Sequence, residues 1–190
     1  MRTEKEKMLA GELYDPRDTQ LLSERRRARL LTKAFNDTSD DQGRERKRLL
    51  GELFGAIGKG TFIEPPFHCD YGGNIALGER VFMNFNCVIL DVAQVTIGNH
   101  VLFGPGVQVY TATHPLDAEQ RRGGLEAASP ITIDDDVWIG GGAILCPGVT
   151  IGARSVIGAG SVVTKDIPED VFAGGNPCRV IRSLVSGESH

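Results

Sequence analysis

The sequence predicts a mainly β fold, a parallel β-helix of six-residue repeats preceded by a helical segment. Three observations predict it. An aliphatic residue recurs every six positions at Ile133, Ile139, Leu145, Ile151, Ile157 and Val163. The same spacing runs earlier, through Leu77, Met83 and Ile89 and then Ile97, Phe103 and Val109. Aromatics are only 6% of the 190 residues while glycine numbers 24, a composition suited to a narrow, repetitive core.

The first 58 residues read as helices. Thr3 and Glu6 fit a capping box ahead of Met8 and Leu9. Asp18 or Thr19 fits the cap of a second helix carrying Leu21, Leu22, Leu30, Leu31 and Phe35. A polar turn over 36–41 precedes a third helix carrying Leu49, Leu50, Leu53, Phe54 and Ile57. The run Arg25, Arg26, Arg27 and Arg29 reads as the solvated face of the second helix.

The period changes after Gly60. Helices repeat every 3.6 residues and plain strands every two. A period of six with one obligate aliphatic residue suits a coil with three short flat faces, each about one hexad long. The anchor points inward and stacks on the coils above and below. Four positions after each anchor stands a small or β-branched residue, such as Val137, Ala143, Val149, Ser155 and Ser161, and, in the earlier run, Val101, Val107 and Thr113. Glycine often follows the anchor, as at Gly140, Gly152 and Gly158, where a corner resists a Cβ. The hexads give coils over 77–94, 97–114, 133–150 and 151–168, with 62–74 as a looser first coil. The domain reading is a helical segment over 1–58 and a β-helix over 59–190. The hexad rule fails between Pro115 and Pro130, an excursion thrown out of the β-helix, and loops on rigid scaffolds usually carry function. A tail over 169–190 and the helices serve as caps.

A formal net charge of −4 argues against a nucleic-acid partner. Cys69, Cys87, Cys146 and Cys178 offer no CxxC pair and read as reduced thiols. The charged N-terminus is no signal peptide, and no apolar run reaches the ~18 residues of a membrane helix. The expectation is a cytoplasmic protein without a membrane segment.

Of the four histidines, His190 is terminal, His68 precedes the main repeat and His100 sits at a free hexad position. His114 stands at the junction of scaffold and excursion. An imidazole titrates near neutrality, which suits removing a proton from a hydroxyl. Zinc would need a third histidine beside His100 and His114, and none follows in the next coil, so no metal is expected. No nucleophile elbow is present for serine chemistry.

Together the hexads, Thr111-Ala112-Thr113-His114-Pro115, Trp138-Ile139-Gly140, Cys146-Pro147-Gly148-Val149-Thr150-Ile151-Gly152, Val163-Thr164-Lys165-Asp166-Ile167-Pro168 and Gly174-Gly175-Asn176-Pro177-Cys178-Arg179 resemble the hexapeptide-repeat sugar O-acetyltransferases. The opening Glu6-Lys7-Met8-Leu9-Ala10-Gly11-Glu12-Leu13-Tyr14 is similar to their maltose O-acetyltransferase branch, related to galactoside and nodulation acetyltransferases. The resemblance implies a left-handed β-helix, a homotrimer with sites between subunits, acetyl-coenzyme A as donor, and maltose, glucose or a related sugar as acceptor. It implies His114 as catalytic base, Asn84 and Asp70 as acceptor ligands, and Asp15 as the nearest match to an N-terminal acidic one. The galactoside branch has a serine at the place of Asp70 and an acidic residue at that of Val92, next to Asp91. On the donor side it implies Gly141, Ala159, Thr164, Lys165, Arg179 and Arg182, with the Gly141 N–H holding the oxyanion of a direct transfer. The rival readings are another acceptor on the same fold (an antibiotic, serine or a nucleotide sugar) and a trimeric scaffold without activity.

Overall fold

A computed structural model describes residues 2–185. Its body is a left-handed parallel β-solenoid of about six turns closed at one end by helices. Each turn supplies one short strand to each of three sheets. The first sheet stacks Ala56–Ile57, Ile75–Leu77, Val95–Ile97, Ile131–Ile133 and Thr150–Ile151. The second stacks Phe62–Ile63, Phe82–Met83, Leu102–Phe103, Trp138–Ile139, Val156–Ile157 and Val171–Gly174, and Arg179–Ser183 folds back antiparallel on its last strand. The third stacks Phe67–Cys69, Cys87–Leu90, Gln108–Tyr110, Ile144–Leu145 and Val162–Val163.

The six-residue anchors occupy matching positions on successive turns. Leu77, Ile97, Ile133 and Ile151 pair in sequence down the first sheet. Met83, Phe103, Ile139 and Ile157 do so in the second, and Ile89, Val109, Leu145 and Val163 in the third. All twelve are at most 4% exposed. Ser155 and Ser161 also point inward, and each spends its hydroxyl on backbone: Ser155 donates to the Pro168 carbonyl at 2.7 Å and Ser161 to that of Gly158 at 2.6 Å.

The glycine after an anchor answers to close approach. A Cβ at Gly140 would lie 2.5 Å from the Ala159 nitrogen on the next turn. Positive φ recurs elsewhere on successive turns, in two columns. One runs through Gly106, Gly142 and Gly160. The other is filled by side-chain-bearing residues, Arg80, His100, Asp136, Arg154 and Asp170, all with φ between 55° and 59°. Its backbone N–H groups donate to the preceding turn, as Asp136 does to the Asn99 carbonyl at 2.9 Å.

Among the described residues there are also four helices: α1 (Glu4–Leu9), α2 (Thr19–Asn36), α3 (Gly43–Leu53) and α4 (Ala118–Arg122). The Thr3–Glu6 capping box forms, and Asp18 caps α2 by accepting from the N–H groups of Gln20 and Leu21. Phe35, Leu49, Leu50 and Leu53 join the solenoid core and seal its first turn. Asn36 covers the edge strand there, its Nδ2 donating to the Phe67 carbonyl and its Oδ1 accepting from the Phe67 N–H, both at 2.9 Å. The cap occupies the backbone groups that Phe67 would otherwise offer to another strand.

Three sequence expectations shift. Ile57 belongs to a strand paired with Leu77, because α3 ends at Leu53 and the first turn starts at Ala56. Leu22 and Leu30 are 49% and 63% exposed and stand away from the core. The coil over 97–114 is left early. Thr111, not Thr113, is the buried residue; its hydroxyl donates to the Leu90 carbonyl at 2.7 Å and accepts from the Ala93 N–H at 2.9 Å. From Ala112 the chain turns outward and pairs antiparallel with Ala127–Ala128.

Candidate active site

The outward turn builds the site. Ala112 pairs with Ala128 and Thr113 with Ala127, so His114 and Glu126 come next on the two strands. Both line a cleft of about 770 Å³ together with Arg25, Arg29, Asp70 and Val92. Leu22, Arg26, Leu30 and Lys33 of α2 form its far wall, with Leu90 and Ala112 at the scaffold side. The cleft thus runs between the second helix and the root of the excursion.

A buried polar network underlies its floor. Asp91 is fully buried, and its Oδ1 accepts from the N–H groups of Asp70 and Tyr71 at 3.0 and 2.8 Å. Its Oδ2 accepts from the Asn74 N–H at 3.3 Å, and Asn74 Nδ2 donates to the Asp91 carbonyl at 2.7 Å. Asp91 therefore shapes the loop that presents Asp70, while Val92 beside it faces the cleft. Burial pushes the Asp91 carboxyl up to about 7, against the pull of its backbone donors. Burial also raises Asp70, opposed by the Arg25 and Arg29 guanidiniums. Arg25 donates to the Tyr71 hydroxyl at 3.1 Å and to the Pro16 carbonyl, and lies 5.7 Å over the Tyr71 ring. Burial lifts that phenol to about 12.

The N-terminal arm clamps the excursion. Tyr14 and Glu126 exchange two backbone hydrogen bonds, at 3.0 and 3.1 Å, and the buried Tyr14 hydroxyl donates to Glu126 Oε2 at 2.7 Å. Burial first, and then Glu126, hold the Tyr14 hydroxyl well above the usual phenol range.

The sequence-derived residues separate into two groups. His114 and Asp70 meet in the cleft. Asp15 does not line it: Arg17 grips its carboxylate through Nε at 2.8 Å and Nη2 at 3.0 Å and lowers it. Asn84 follows the strand Phe82–Met83 of the second sheet, its Oδ1 accepting from the Phe85 N–H at 2.8 Å, and lies outside the cleft. Gly141 and Ala159 sit on the corner between the second and third sheets, at successive turns. Gly140 donates to the Ile157 carbonyl and Gly142 to that of Pro105, both at 2.8 Å, whereas the Gly141 N–H has no acceptor among the described residues. Thr164 and Lys165 are exposed one corner further on. Arg179 and Arg182 ride the antiparallel return strand, Arg179 donating to the Cys178 carbonyl at 2.8 Å and Arg182 lying 5.9 Å over the Phe172 ring.

Sequence reasoning missed Arg25, Arg29 and Glu126. The arginines are periodic at i and i+4, as a helix face requires, but that spacing fits a solvated face equally well. Glu126 lies where the repeat is silent. Among the described residues no group of three or more His, Cys, Asp or Glu side chains is placed to hold a metal, and no helix is long and apolar enough to cross a membrane.

Comparison with known proteins agrees with this architecture. Residues 7–58 match the maltose acetyltransferase hexapeptide capping motif, and residues 130–165 match the bacterial transferase hexapeptide, six repeats. Nodulation protein L of Rhizobium meliloti is 52% identical over 94% of this chain and 98% of its own length. The galactoside O-acetyltransferase of Escherichia coli is 42% identical over 97% and 91%. A crystal structure of a maltose O-acetyltransferase from Clostridium difficile 630 superposes with a TM-score of 0.96 at 51% identity, covering 96% of this chain and 98% of that one. A galactoside acetyltransferase solved in complex with coenzyme A gives 0.94 at 42% identity, over 97% and 92%. Repeats, capping helices and near-full-length relatives converge: the chain belongs to the hexapeptide-repeat acetyltransferases, in the branch of the maltose and galactoside enzymes.

Proposed function

We propose that this protein moves an acetyl group from acetyl-coenzyme A to a hydroxyl of maltose, glucose or a related sugar, with His114 as general base. The observation that carries the reading is the cleft: His114 and Asp70 line one concavity of about 770 Å³, with Glu126 on the strand beside the histidine. The donor follows from the relatives solved with coenzyme A and, for a Vibrio cholerae protein 46% identical, with acetyl-coenzyme A.

In the reaction His114 takes the proton of the acceptor hydroxyl as its oxygen attacks the thioester carbonyl. The tetrahedral oxyanion is held by the free N–H of Gly141. The C–S bond then breaks, and His114 returns the proton to the departing thiolate. No acyl-enzyme forms, in keeping with Cys69, Cys87 and Cys178 being buried. Glu126, which accepts from Tyr14 through one oxygen and lines the same cleft as His114, is proposed to orient the imidazole and steady the imidazolium. Asp70 accepts from sugar hydroxyls. Ala159, Thr164, Lys165, Arg179 and Arg182 hold the coenzyme, the cations facing its phosphates. Asp15, already paired with Arg17, would have to exchange that partner to reach an acceptor.

The reading includes a homotrimer. His114 lines the cleft, whereas Asn84 and Gly141 do not, so one chain alone holds an incomplete site. The second sheet also carries an outward apolar ladder in register: Phe62, Phe82, Leu102, Trp138 and Val156. Phe62, Leu102 and Trp138 are 46–53% exposed, and a second copy of this chain is the occupant that both observations favour. The four free thiols fit a reducing compartment, and the cytoplasm is the proposed location.

The test is thiol release from acetyl-coenzyme A across a panel of maltose, glucose, galactosides, serine and aminoglycosides. Sugar-dependent release supports the proposal. Release only with a non-sugar acceptor, or none with any, overturns it.

A further inference from the structure

We propose that the natural acceptor is an anionic saccharide, one whose carboxylate or phosphate is bound by the cationic face of α2. The inference rests on the sugar-transfer reading above and names the acceptor class for the same cleft. Its ground is an excess of positive charge that a neutral sugar would not use.

Arg25, Arg29 and Lys33 recur at i, i+4 and i+8 on α2, with Arg26 beside them, and all four line the cleft. The stripe from Arg25 to Lys33 extends about 12 Å at 1.5 Å per residue. Its members are not equally engaged. Arg25 is tied to the Tyr71 hydroxyl and the Pro16 carbonyl, and Lys33 pairs with Asp37. The Arg26 and Arg29 side chains make no hydrogen bond or ion pair among the described residues. The opposing carboxylates are two, Asp70 and Glu126, and Glu126 already accepts from Tyr14. With Lys33 neutralised by Asp37, three arginines face two carboxylates along the cleft, and two of the three have unpaired side chains, in a chain whose formal net charge is −4. Such local reversal of sign in a concave site focuses potential on an incoming anion. Guanidinium forks match carboxylate and phosphate oxygens in a way that neutral hydroxyls do not require.

Size agrees with charge. A cleft of about 770 Å³ is large for one sugar ring and lies within the ~300–1,000 Å³ that hold drug-sized ligands. The reacting hydroxyl can meet His114 beside Asp70 while the charged group lies further along the helix. Leu22 and Leu30, which flank the arginines in sequence and are 49% and 63% exposed, give the carbon faces of the saccharide an apolar wall. The rival use of these arginines is to hold phosphates of the donor, and the experiment separates the two.

Steady-state kinetics with acetyl-coenzyme A would compare maltose with maltobionate and glucose with glucose 1-phosphate, in wild type and in the Arg26→Gln/Arg29→Gln variant. Both substitutions are on exposed residues of α2, and circular dichroism checks the fold. The expected result is a kcat/KM ratio of anionic to neutral sugar of roughly tenfold or more in wild type, the worth of one charge-assisted hydrogen bond. That ratio falls toward one in the variant and with rising salt. The larger of the two ratios identifies the anion as carboxylate or phosphate. A wild-type ratio near one overturns the proposal, as does a ratio that the substitutions leave unmoved. A variant that changes only the KM for acetyl-coenzyme A assigns the arginines to the donor and also overturns it. Neutral and anionic sugars acetylated equally well would sink this inference alone, whereas no transfer to any saccharide would sink the sugar-transfer reading beneath it.

Discussion

Glu126 meets two demands at once. Its backbone and one carboxylate oxygen hold Tyr14, and its side chain reaches the cleft next to His114. General-base catalysis contributes about 10²–10⁴-fold, so His114→Ala should lower kcat by that order. The protein should stay folded, because His114 is exposed at the rim of the cleft. Glu126→Gln keeps the shape and removes the charge. As a positioning substitution it should lower kcat while leaving the KM for acetyl-coenzyme A near its original value. A kcat that survives His114→Ala would make the histidine structural. Asp91 offers a second test. Its carboxyl, raised to about 7 in the folded protein, stands above the ordinary ~3.9 and so binds its proton more tightly folded than unfolded. The stability this contributes is complete below about pH 4 and is lost as pH rises through about 7. Asp91→Asn abolishes that titration and turns an amide toward one of three backbone donors. The variant should be less stable by about 1–3 kcal/mol near pH 5, with a flatter stability profile between about pH 4 and 7. A wild-type profile that climbs across this interval would show that the backbone donors hold Asp91 ionised throughout. Of these residues only His114 was legible in the sequence, because it ends a phase-locked run. Glu126 lies where no period exists, and its place in the cleft with His114 is set by a strand pair that the hexad rule does not describe.

Elements differ in how far their sequence discloses them. The hexads do so almost completely, since each anchor's environment is another anchor one turn away, and all twelve are buried as the spacing requires. The rule fails where tertiary contacts take over: Thr111 turns inward because its hydroxyl bonds the Leu90 carbonyl and the Ala93 N–H. In α2 the 3.6-residue pattern marks Leu22 and Leu30 as apolar, but apolar periodicity cannot distinguish a core-facing stripe from one that walls a cleft. Glycine requirements divide the same way. Gly140→Ala brings a Cβ to 2.5 Å from the Ala159 nitrogen and should cost about 1–3 kcal/mol as overpacking. Gly142→Ala meets nothing within 4 Å but inherits a φ of +69°, and about 1–2 kcal/mol of backbone strain. Thermal melts of the two variants measure both costs. The return strand Arg179–Ser183 carries the donor-side test. Arg179→Ala with Arg182→Ala should raise the KM for acetyl-coenzyme A more than that for the sugar, since phosphate contacts from charged groups are worth about 1.5–3 kcal/mol each. An unchanged donor KM would confine the pair to their observed partners, the Cys178 carbonyl and the Phe172 ring.

At the scale of the whole molecule, the outward faces of the first and second sheets are unlike. The first sheet shows alanine and threonine, Ala76, Thr96, Thr132 and Thr150, in register. The second shows Phe62, Phe82, Leu102 and Trp138. Phe62 and Phe82 stack with centroids 6.2 Å apart and planes within 6°. Large exposed apolar side chains repeated turn after turn are costly in water, at roughly 25 cal/mol per Å², which favours the proposed association through this face. The trimer proposed above would bury this ladder and bring Asn84 and Gly141 toward the cleft of a neighbour. Leu102→Glu tests it. The side chain is 46% exposed and points away from the core, while Phe103 beside it is the buried anchor, so the substitution should spare the solenoid. It would set a carboxylate among Phe82, Trp138 and their counterparts, once per subunit. Light scattering at micromolar concentration should give three times the chain mass of 20.5 kDa for wild type and a smaller mass for the variant. Acetyl transfer should fall with assembly and recover at higher protein concentration, which a simple loss of folding would not allow. A variant that stays trimeric and active would remove the ladder from the interface, and a wild type that is monomeric would require His114 and its donor-side partners to act within one chain.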